Sequence, residues 1–125
     1  MTKNQKTRVL VVEDEAVIGA LLQDVLEDSG YDVVLKTTGG EALAAQTEGP
    51  CDLAIVDYGL PDCNGLEVAQ RLGPAPSGNR PGVILATGWG LLEESQLAGV
   101  VDQLLSKPFN MGELIMQLER LSAQA

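Results

Sequence analysis

Apolar residues along the chain alternate between two spacings, one typical of buried strands and the other of amphipathic helices. Residues Arg8 to Val12 form a short, largely β-branched apolar run, which predicts a strand. The residues after it repeat at helical spacing: Val17, Ile18, Leu21, Leu22, Val25 and Leu26. This helix is expected to end at Gly30, because glycine accommodates the backbone conformation that commonly follows a last helical turn.

The same alternation continues toward the end of the chain. Further strands are predicted at Tyr31–Leu35, Leu53–Asp57, Val83–Ala86 and Gln103–Ser106. Helices are predicted at Glu41–Gln46, Leu66–Leu72 and, with a weaker pattern, Leu91–Leu97. A last helix carries Leu114, Ile115, Leu118 and Leu121. Asn110, followed three residues later by Glu113, predicts a capping box at the start of that helix.

Strands that alternate with helices favour right-handed βαβ crossovers and a parallel sheet. The core strands are almost wholly apolar, as expected when helices cover both faces of the sheet. With 125 residues, the chain is expected to form a single domain spanning 1–125. The predicted fold is α/β, a doubly wound, flavodoxin-like sheet of five parallel strands in the order 2-1-3-4-5 with helices on both faces.

The composition limits the classes of partner. Eighteen acidic residues against eight basic ones give a net charge of −10, which repels phosphate backbones and anionic membrane surfaces. Direct binding to nucleic acid or to a membrane is therefore not expected. The opening residues MTKNQKTR lack an apolar signal core, so a cytoplasmic location is predicted. The two cysteines, Cys51 and Cys63, have no histidine in the sequence to complete a zinc site.

Polar side chains stand where the predicted strands end. Glu13 and Asp14 follow the first strand, Asp57 closes the third, Thr87 follows the fourth and Lys107 follows the fifth. Because the first and third strands are neighbours in the predicted order, three carboxylates are expected to crowd together at one edge of the sheet. Such crowding is costly unless a cation neutralises the carboxylates. A set of oxygen ligands with few protein donors favours Mg²⁺.

Each of these residues, taken alone, also has a plainer interpretation. The acidic pair could cap the first helix, and Thr87 could belong to a turn. Lys107 could be a surface lysine, although it lies between an apolar strand and Pro108. For this lysine to turn back toward the acidic residues, the Lys107–Pro108 bond is predicted to be cis. A purely structural role is least expected for Asp57, because a carboxylate that closes a buried strand is rarely left unpaired.

The residue types predict phosphoryl transfer. A carboxylate is ionised at neutral pH and needs no base, so Asp57 can attack a phosphoryl group directly and form an acyl phosphate. The reaction then requires in-line positioning and neutralisation of the phosphoryl oxygens. Mg²⁺ held by Asp14 and Asp57, with Glu13 acting directly or through water, would take one oxygen. Lys107 would take a second oxygen and the Thr87 hydroxyl a third.

From about residue 8 to residue 121, the chain resembles the response-regulator receiver family of two-component signalling. Four segments carry this resemblance by their order and spacing: VLVVEDE, AIVDYGLPDCNGLE, VILATGWG and LLSKPF. The resemblance implies the roles given above, with Asp57 as phosphoacceptor, and adds the backbone carbonyl of Gly59 as a metal ligand. It implies a phosphohistidine donor on a histidine kinase or phosphotransfer domain and a downstream protein target. It also implies a signalling switch rather than an enzyme, since such a domain catalyses only its own phosphorylation and dephosphorylation.

The sequence departs from that family in the segment after the fourth strand. Leu104 stands where the family usually has tyrosine or phenylalanine, and Gly88 where alanine is common. The stretch AGVVDQLL is also one residue longer than usual before the lysine. Leu104 is therefore expected to pack in the core and keep one rotamer. Activation is expected to rearrange Thr87–Leu97, including Trp89, since glycines on either side of that tryptophan free the backbone.

Other functions are compatible with parts of the pattern. A pseudo-receiver would keep the fold but bind partners without phosphorylation, and the chain could also be a receiver piece of a hybrid histidine kinase. A flavodoxin is disfavoured, because the VEDEA segment would repel the phosphate of its cofactor. An aspartyl phosphatase is disfavoured because Glu15 stands where its second aspartate would be expected.

Overall fold

The computed structural model describes residues 6–88 and 97–124 as a parallel sheet with helices on both faces. The strands are Arg8–Val12 (β1), Asp32–Lys36 (β2), Leu53–Asp57 (β3), Gly82–Thr87 (β4) and Gln103–Ser106 (β5). The helices within these ranges are Ala16–Asp28 (α1), Gly39–Glu48 (α2), Gly65–Arg71 (α3) and Met111–Gln124 (α4). The bounds predicted for the five strands and for α2 and α3 agree with the observed ones to within two residues.

Neighbouring strands pair in parallel in the order β2-β1-β3-β4-β5. The prediction of a doubly wound α/β fold with a five-stranded sheet is therefore confirmed. The helix predicted at Leu91–Leu97 lies outside the described residues except for its last one. None of the helices in the two described ranges combines the length and the hydropathy needed to cross a membrane.

The sheet separates two apolar clusters, because successive residues of a strand point to opposite faces. On β1, Val9 and Val11 face one cluster, and Leu10 and Val12 face the other. Helices α1 and α4 cover the first face with Leu22, Leu26, Leu114, Leu118 and Leu121. Helices α2 and α3 cover the second face with Ala42, Val68 and Ala69. Since both faces are covered by helices, polar side chains find room mainly where the strands end.

Side-chain caps fix where three of the helices begin. The Thr38 hydroxyl accepts a hydrogen bond from the Glu41 backbone N–H at 3.1 Å at the start of α2. Asn64 and Glu67 form a complete capping box on α3, with bonds of 2.9 and 3.2 Å. At α4, Asn110 accepts from the N–H of Glu113 at 2.7 Å, which is one of the two bonds of the predicted box. The box on α3 carries the same sequence signal as the predicted one, an asparagine followed three residues later by a glutamate.

Gln46 is a polar side chain of α2 that is only 2% exposed, and it joins two neighbouring loops. Its Oε1 accepts from the Cys51 N–H at 2.9 Å, and its Nε2 lies 3.1 Å from the Cys51 carbonyl and 3.3 Å from that of Gly73. Gln46→Leu would leave the Cys51 groups buried without these partners. We expect the variant to lose about 2 kcal/mol of unfolding free energy in urea denaturation. Gln70→Leu on the exposed surface of α3 is the control and should change stability by less than about 0.5 kcal/mol. A Gln46 variant as stable as this control would contradict the argument.

Candidate functional site

The carboxyl ends of β1, β3, β4 and β5 bring the predicted site residues to one edge of the sheet. Asp57 closes β3 and Thr87 closes β4, and both are buried, at 7% exposure each. Glu13 follows β1 directly, and its N–H continues the pairing with β2 by donating to the Lys36 carbonyl at 3.0 Å. Lys107 follows β5, and its N–H donates to the Thr87 carbonyl at 2.9 Å. The strand pairing thus holds the backbones of these residues in register.

Three carboxylates form the acidic part of the site. Glu13, Asp14 and Asp57 each offer an oxygen, and these oxygens all lie within 4.8 Å of one another. Glu13 and Asp57 are buried, whereas Asp14 is exposed. Ligands around an octahedral Mg²⁺ lie about 3 to 4 Å apart, because each lies about 2.1 Å from the ion. The oxygen donors and their charge therefore fit a hard divalent cation such as Mg²⁺, and the three oxygens lie close enough together to share one ion.

Lys107 supplies the positive charge of the site. Its Nζ lies 2.8 Å from Asp57 Oδ1 and 3.6 Å from Glu13 Oε1. Partial burial lowers the pKa of Lys107, but the hydrogen bond and the charge of Asp57, together with the charge of Glu13, outweigh it, so that this pKa is raised overall. The ammonium group therefore stays protonated at neutral pH. The peptide bond from Lys107 to Pro108 is cis, which confirms that prediction.

Glu13 is the most enclosed of the three acids, with 3% of its surface exposed. Burial raises the pKa of Glu13, and the negative charge of Asp57 raises it further. The N–H of Glu15 opposes this effect by donating to Glu13 Oε2 at 3.2 Å. A bound divalent cation would favour the charged form of this carboxylate.

The loop after β3 forms one wall of a cleft over Asp57. Asp57, Tyr58, Gly59, Thr87, Gly88 and Lys107 line this cleft, which has a volume of about 430 Å³. The N–H of Tyr58 donates to the Ala86 carbonyl at 2.8 Å, which ties the loop to β4. Gly59 is exposed and forms an isolated antiparallel bridge with Asn64 at the other end of the loop. Gly59, whose carbonyl the family resemblance implies as a metal ligand, thus lines the same cleft as Asp57.

Gly65 belongs to the construction of the site but was absent from the predicted set. Its N–H donates to the Tyr58 carbonyl at 2.7 Å. A Cβ at this position would collide with the backbone oxygen of Asp57 and lie 2.9 Å from both the Asp57 carbonyl carbon and Leu85 Cδ1. Helix α3 can therefore approach the end of β3 only because residue 65 has no side chain. The sequence signal, a glycine directly after a helix-capping asparagine, does not by itself reveal this contact.

The expectation that Leu104 packs in the core is wrong, since this side chain is 42% exposed. β5 is the last strand of the sheet, and its side chains alternate between the two faces. Leu105 takes the position facing the first cluster and is fully buried, so Leu104 points to the opposite face. The rearrangement predicted for Thr87–Leu97, including Trp89, falls largely on residues 89–96, which lie outside the described residues, and it stays a prediction.

Comparisons with solved structures show the same fold in other proteins. The receiver domain protein (CheY-like) from Methanospirillum hungatei JF-1 is 32% identical, with a TM-score of 0.84 over 96% of this chain and 97% of that one. The response regulator protein TrrA from Thermotoga maritima, whose structure is a complex with Mg²⁺-BeF, is 34% identical, with a TM-score of 0.79 over 94% of this chain and 99% of that one.

Comparisons with known sequences lead to the same family. The transcriptional regulatory protein TcrA of Mycobacterium tuberculosis is 37% identical over 117 residues, which cover 92% of this chain and 46% of TcrA. The chain thus spans about half the length of the regulators it matches. Residues 9–119 match the response regulator receiver domain family. Together with the shared fold, this match shows that the chain belongs to the response regulator receiver domain family.

Proposed function

We propose that this chain is a phosphorylation-activated switch of a two-component phosphorelay, in which Asp57 accepts a phosphoryl group with the help of Mg²⁺. One observation carries the proposal: Asp57 ends a buried strand with its Oδ1 2.8 Å from Lys107 Nζ, inside a cluster of three carboxylates. A buried carboxylate paired with a cation could be purely structural. Here, however, the pair lines a cleft with Thr87 and Gly59, and this cleft gives a phosphoryl group access to Asp57.

The acidic residues would hold the metal. We assign Glu13, Asp14, Asp57 and the backbone carbonyl of Gly59 as the groups around Mg²⁺. When bound, the ion would reduce the repulsion between these carboxylates and the oxygens of an incoming phosphoryl group. TrrA, which has the same fold and is 34% identical to this chain, forms a complex with Mg²⁺-BeF, and this supports Mg²⁺ as the ion.

The transfer itself needs little from the protein beyond position and charge. An Asp57 carboxylate oxygen attacks the phosphorus of a phosphohistidine, and the new O–P bond forms as the N–P bond to the imidazole breaks. The imidazole nitrogen leaves with the electron pair of the broken bond. Because the attacking carboxylate already carries its charge, no base on this chain is required.

Lys107 and Thr87 would receive the phosphoryl group once it is attached. The Lys107 ammonium lies against the carboxylate of Asp57 that would become an acyl phosphate, so it can pair with a phosphoryl oxygen after a small shift. Its raised pKa keeps it charged for this role. Thr87 closes β4 on the same cleft, and its hydroxyl can donate to another phosphoryl oxygen.

The proposed partners follow from this chemistry and from the charge of the chain. A histidine kinase or a phosphotransfer domain would supply the phosphohistidine, and a downstream protein would read the phosphorylated form. We infer a cytoplasmic receiver that forms one domain over 1–125. With a net charge of −10, the receiver itself is not expected to contact nucleic acid.

Incubation with a small phosphodonor such as acetyl phosphate tests the proposal. We expect the intact mass to rise by one phosphoryl group in Mg²⁺ and to stay unchanged in excess EDTA, because the metal site is needed for the transfer. Borohydride reduction of the acyl phosphate, followed by peptide mass spectrometry, should locate the modification at Asp57. A protein that gains no mass in Mg²⁺, either from this donor or from a phosphorylated kinase, would instead be a phosphorylation-independent binding module.

A further inference from the structure

The loop between β3 and α3 is held against the start of α2 by one side chain, Asp62. Its Oδ1 accepts from the Gly39 N–H at 2.9 Å, and its Oδ2 accepts from the Gly40 N–H at 2.9 Å. Each carboxylate oxygen therefore has its own backbone donor, although Asp62 itself is exposed. These two hydrogen bonds lower the pKa of the Asp62 carboxyl, in agreement with a carboxylate that is held in its charged form.

The contact depends on a close approach between the loop and α2. Gly39 is buried, and a Cβ there would collide with Cys63 Sγ and lie 2.9 Å from Val68 Cγ2. A side chain at position 39 would push the loop away from the helix. Gly39 therefore allows the loop to lie close to α2, and the two hydrogen bonds of Asp62 hold it there.

This loop carries the carbonyl assigned to the metal. Gly59 and Asn64 bridge across its base, and Asn64 is fixed further by the capping box on α3. Gly59 is exposed, and a Cβ there would meet nothing within 4 Å, so no neighbouring side chain packs against that side of the residue. The position of residue 59 therefore depends on backbone contacts rather than on side-chain packing at that side. These contacts anchor the loop at two places: the bridge to Asn64 and the bond from the Gly65 N–H to the Tyr58 carbonyl hold its base, and the two bonds of Asp62 hold its tip.

We propose that Asp62 is a positioning residue that fastens residues 59–63 to α2 and thereby sets the Gly59 carbonyl for Mg²⁺. This inference rests on the proposed function, because it presumes the magnesium site at Asp57. Residues that orient a metal ligand without touching the metal typically change its affinity by about 10- to 100-fold when they are replaced. Asp62 acts through the two residues that separate it from Gly59, which places its effect at the low end of that range, at about tenfold.

Calorimetric titration of the unphosphorylated protein with Mg²⁺ tests the inference by binding rather than by phosphorylation. Asp62→Ala should raise the dissociation constant for Mg²⁺ about tenfold. Asp62→Asn should have an intermediate effect, because an amide oxygen can accept one of the two bonds but the amide nitrogen cannot accept the other. The matched control is Thr38→Ala, which removes a cap bond of 3.1 Å from the same helix end and is not part of the contact with the loop.

Four outcomes separate the possibilities. Weakened Mg²⁺ binding in both Asp62 variants, with normal binding in Thr38→Ala, would support the positioning role. Unchanged binding in Asp62→Ala would overturn the positioning role and leave the proposed function standing. An equal loss in Thr38→Ala would also overturn that role, because a weaker start of α2 would then explain both losses. If the wild-type protein binds no Mg²⁺ at all, both the positioning role and the metal-dependent function are wrong. Should Asp62→Ala fold poorly, the same comparison between Asp62→Asn and Thr38→Ala decides the question.

Discussion

Asp57→Asn should abolish phosphorylation by a small donor in Mg²⁺, with a loss of at least about 1,000-fold in rate, as expected when a nucleophile is removed. The substitution keeps the size of the side chain but replaces a charged oxygen by an amide oxygen, which is a poor nucleophile. Glu13 cannot readily take over, although its Oε1 lies 3.6 Å from Lys107 Nζ, because Asp57 lines the cleft and Glu13 does not. Intact-mass measurement of phosphoryl incorporation over time would determine both rates.

A matched control separates the nucleophile from the change in charge. Asp24→Asn on the exposed surface of α1 removes the same charge far along the chain from the cleft, and it should be phosphorylated at the wild-type rate. Circular dichroism should show that both variants are folded. If Asp57→Asn still gains a phosphoryl group at the wild-type rate, another residue is the acceptor and the assignment of the site fails.

The strands and their order could be predicted because this sheet is buried on both faces. Burial on both faces leaves β1, β3 and β4 almost wholly apolar, so each strand stands out as a short run between polar segments. Once the strands are located, their alternation with helices fixes parallel pairing and leaves few possible orders. Polar residues at the strand ends then fall on one edge, which is why Asp57 and Lys107 could be placed together before their 2.8 Å contact was known.

Contacts between distant segments could not be predicted in the same way. Asp62 bonds to residues more than twenty positions earlier, and nothing in the segment LPDCNG distinguishes it from any turn aspartate. Gln46 occupies a buried position on a helix with only a weak apolar pattern, so its role follows from the loops that surround it. In both cases the partners are backbone groups, which leave no trace in the identity of the residues that carry them.

Leu104 shows a different limit of sequence reasoning. An apolar residue on an apolar strand favours burial, but burial also depends on what covers the strand. β5 is at the edge of the sheet, and its two neighbouring leucines point to opposite faces. Leu105 is fully buried and Leu104 is 42% exposed. Because both residues are leucine, the sequence alone does not show which of the two faces the covered side of the sheet.

Gly65→Ala should destabilise the protein by about 3 kcal/mol, the upper part of the usual range for a side chain forced into a filled space. The added Cβ would collide with the Asp57 backbone oxygen and lie 2.9 Å from Leu85 Cδ1, and neither the strand end nor this fully buried leucine can move freely. Relief would require α3 to move away from β3, which would break the 2.7 Å bond from the Gly65 N–H to the Tyr58 carbonyl. Urea denaturation would measure the loss of unfolding free energy.

The cause of this loss is lack of space, because Gly65 is not among the glycines with a positive φ. Gly73→Ala is therefore the matched control: that residue also lacks a positive φ, and its Cβ would meet nothing within 4 Å. It should leave the unfolding free energy within about 0.5 kcal/mol of the wild type. Because the collision lies at the backbone of Asp57, the fraction of Gly65→Ala that stays folded should also be phosphorylated more slowly than Gly73→Ala. A Gly65 variant as stable and as reactive as this control would show that α3 can shift without cost, and that the spacing between α3 and β3 does not hold Asp57 in place.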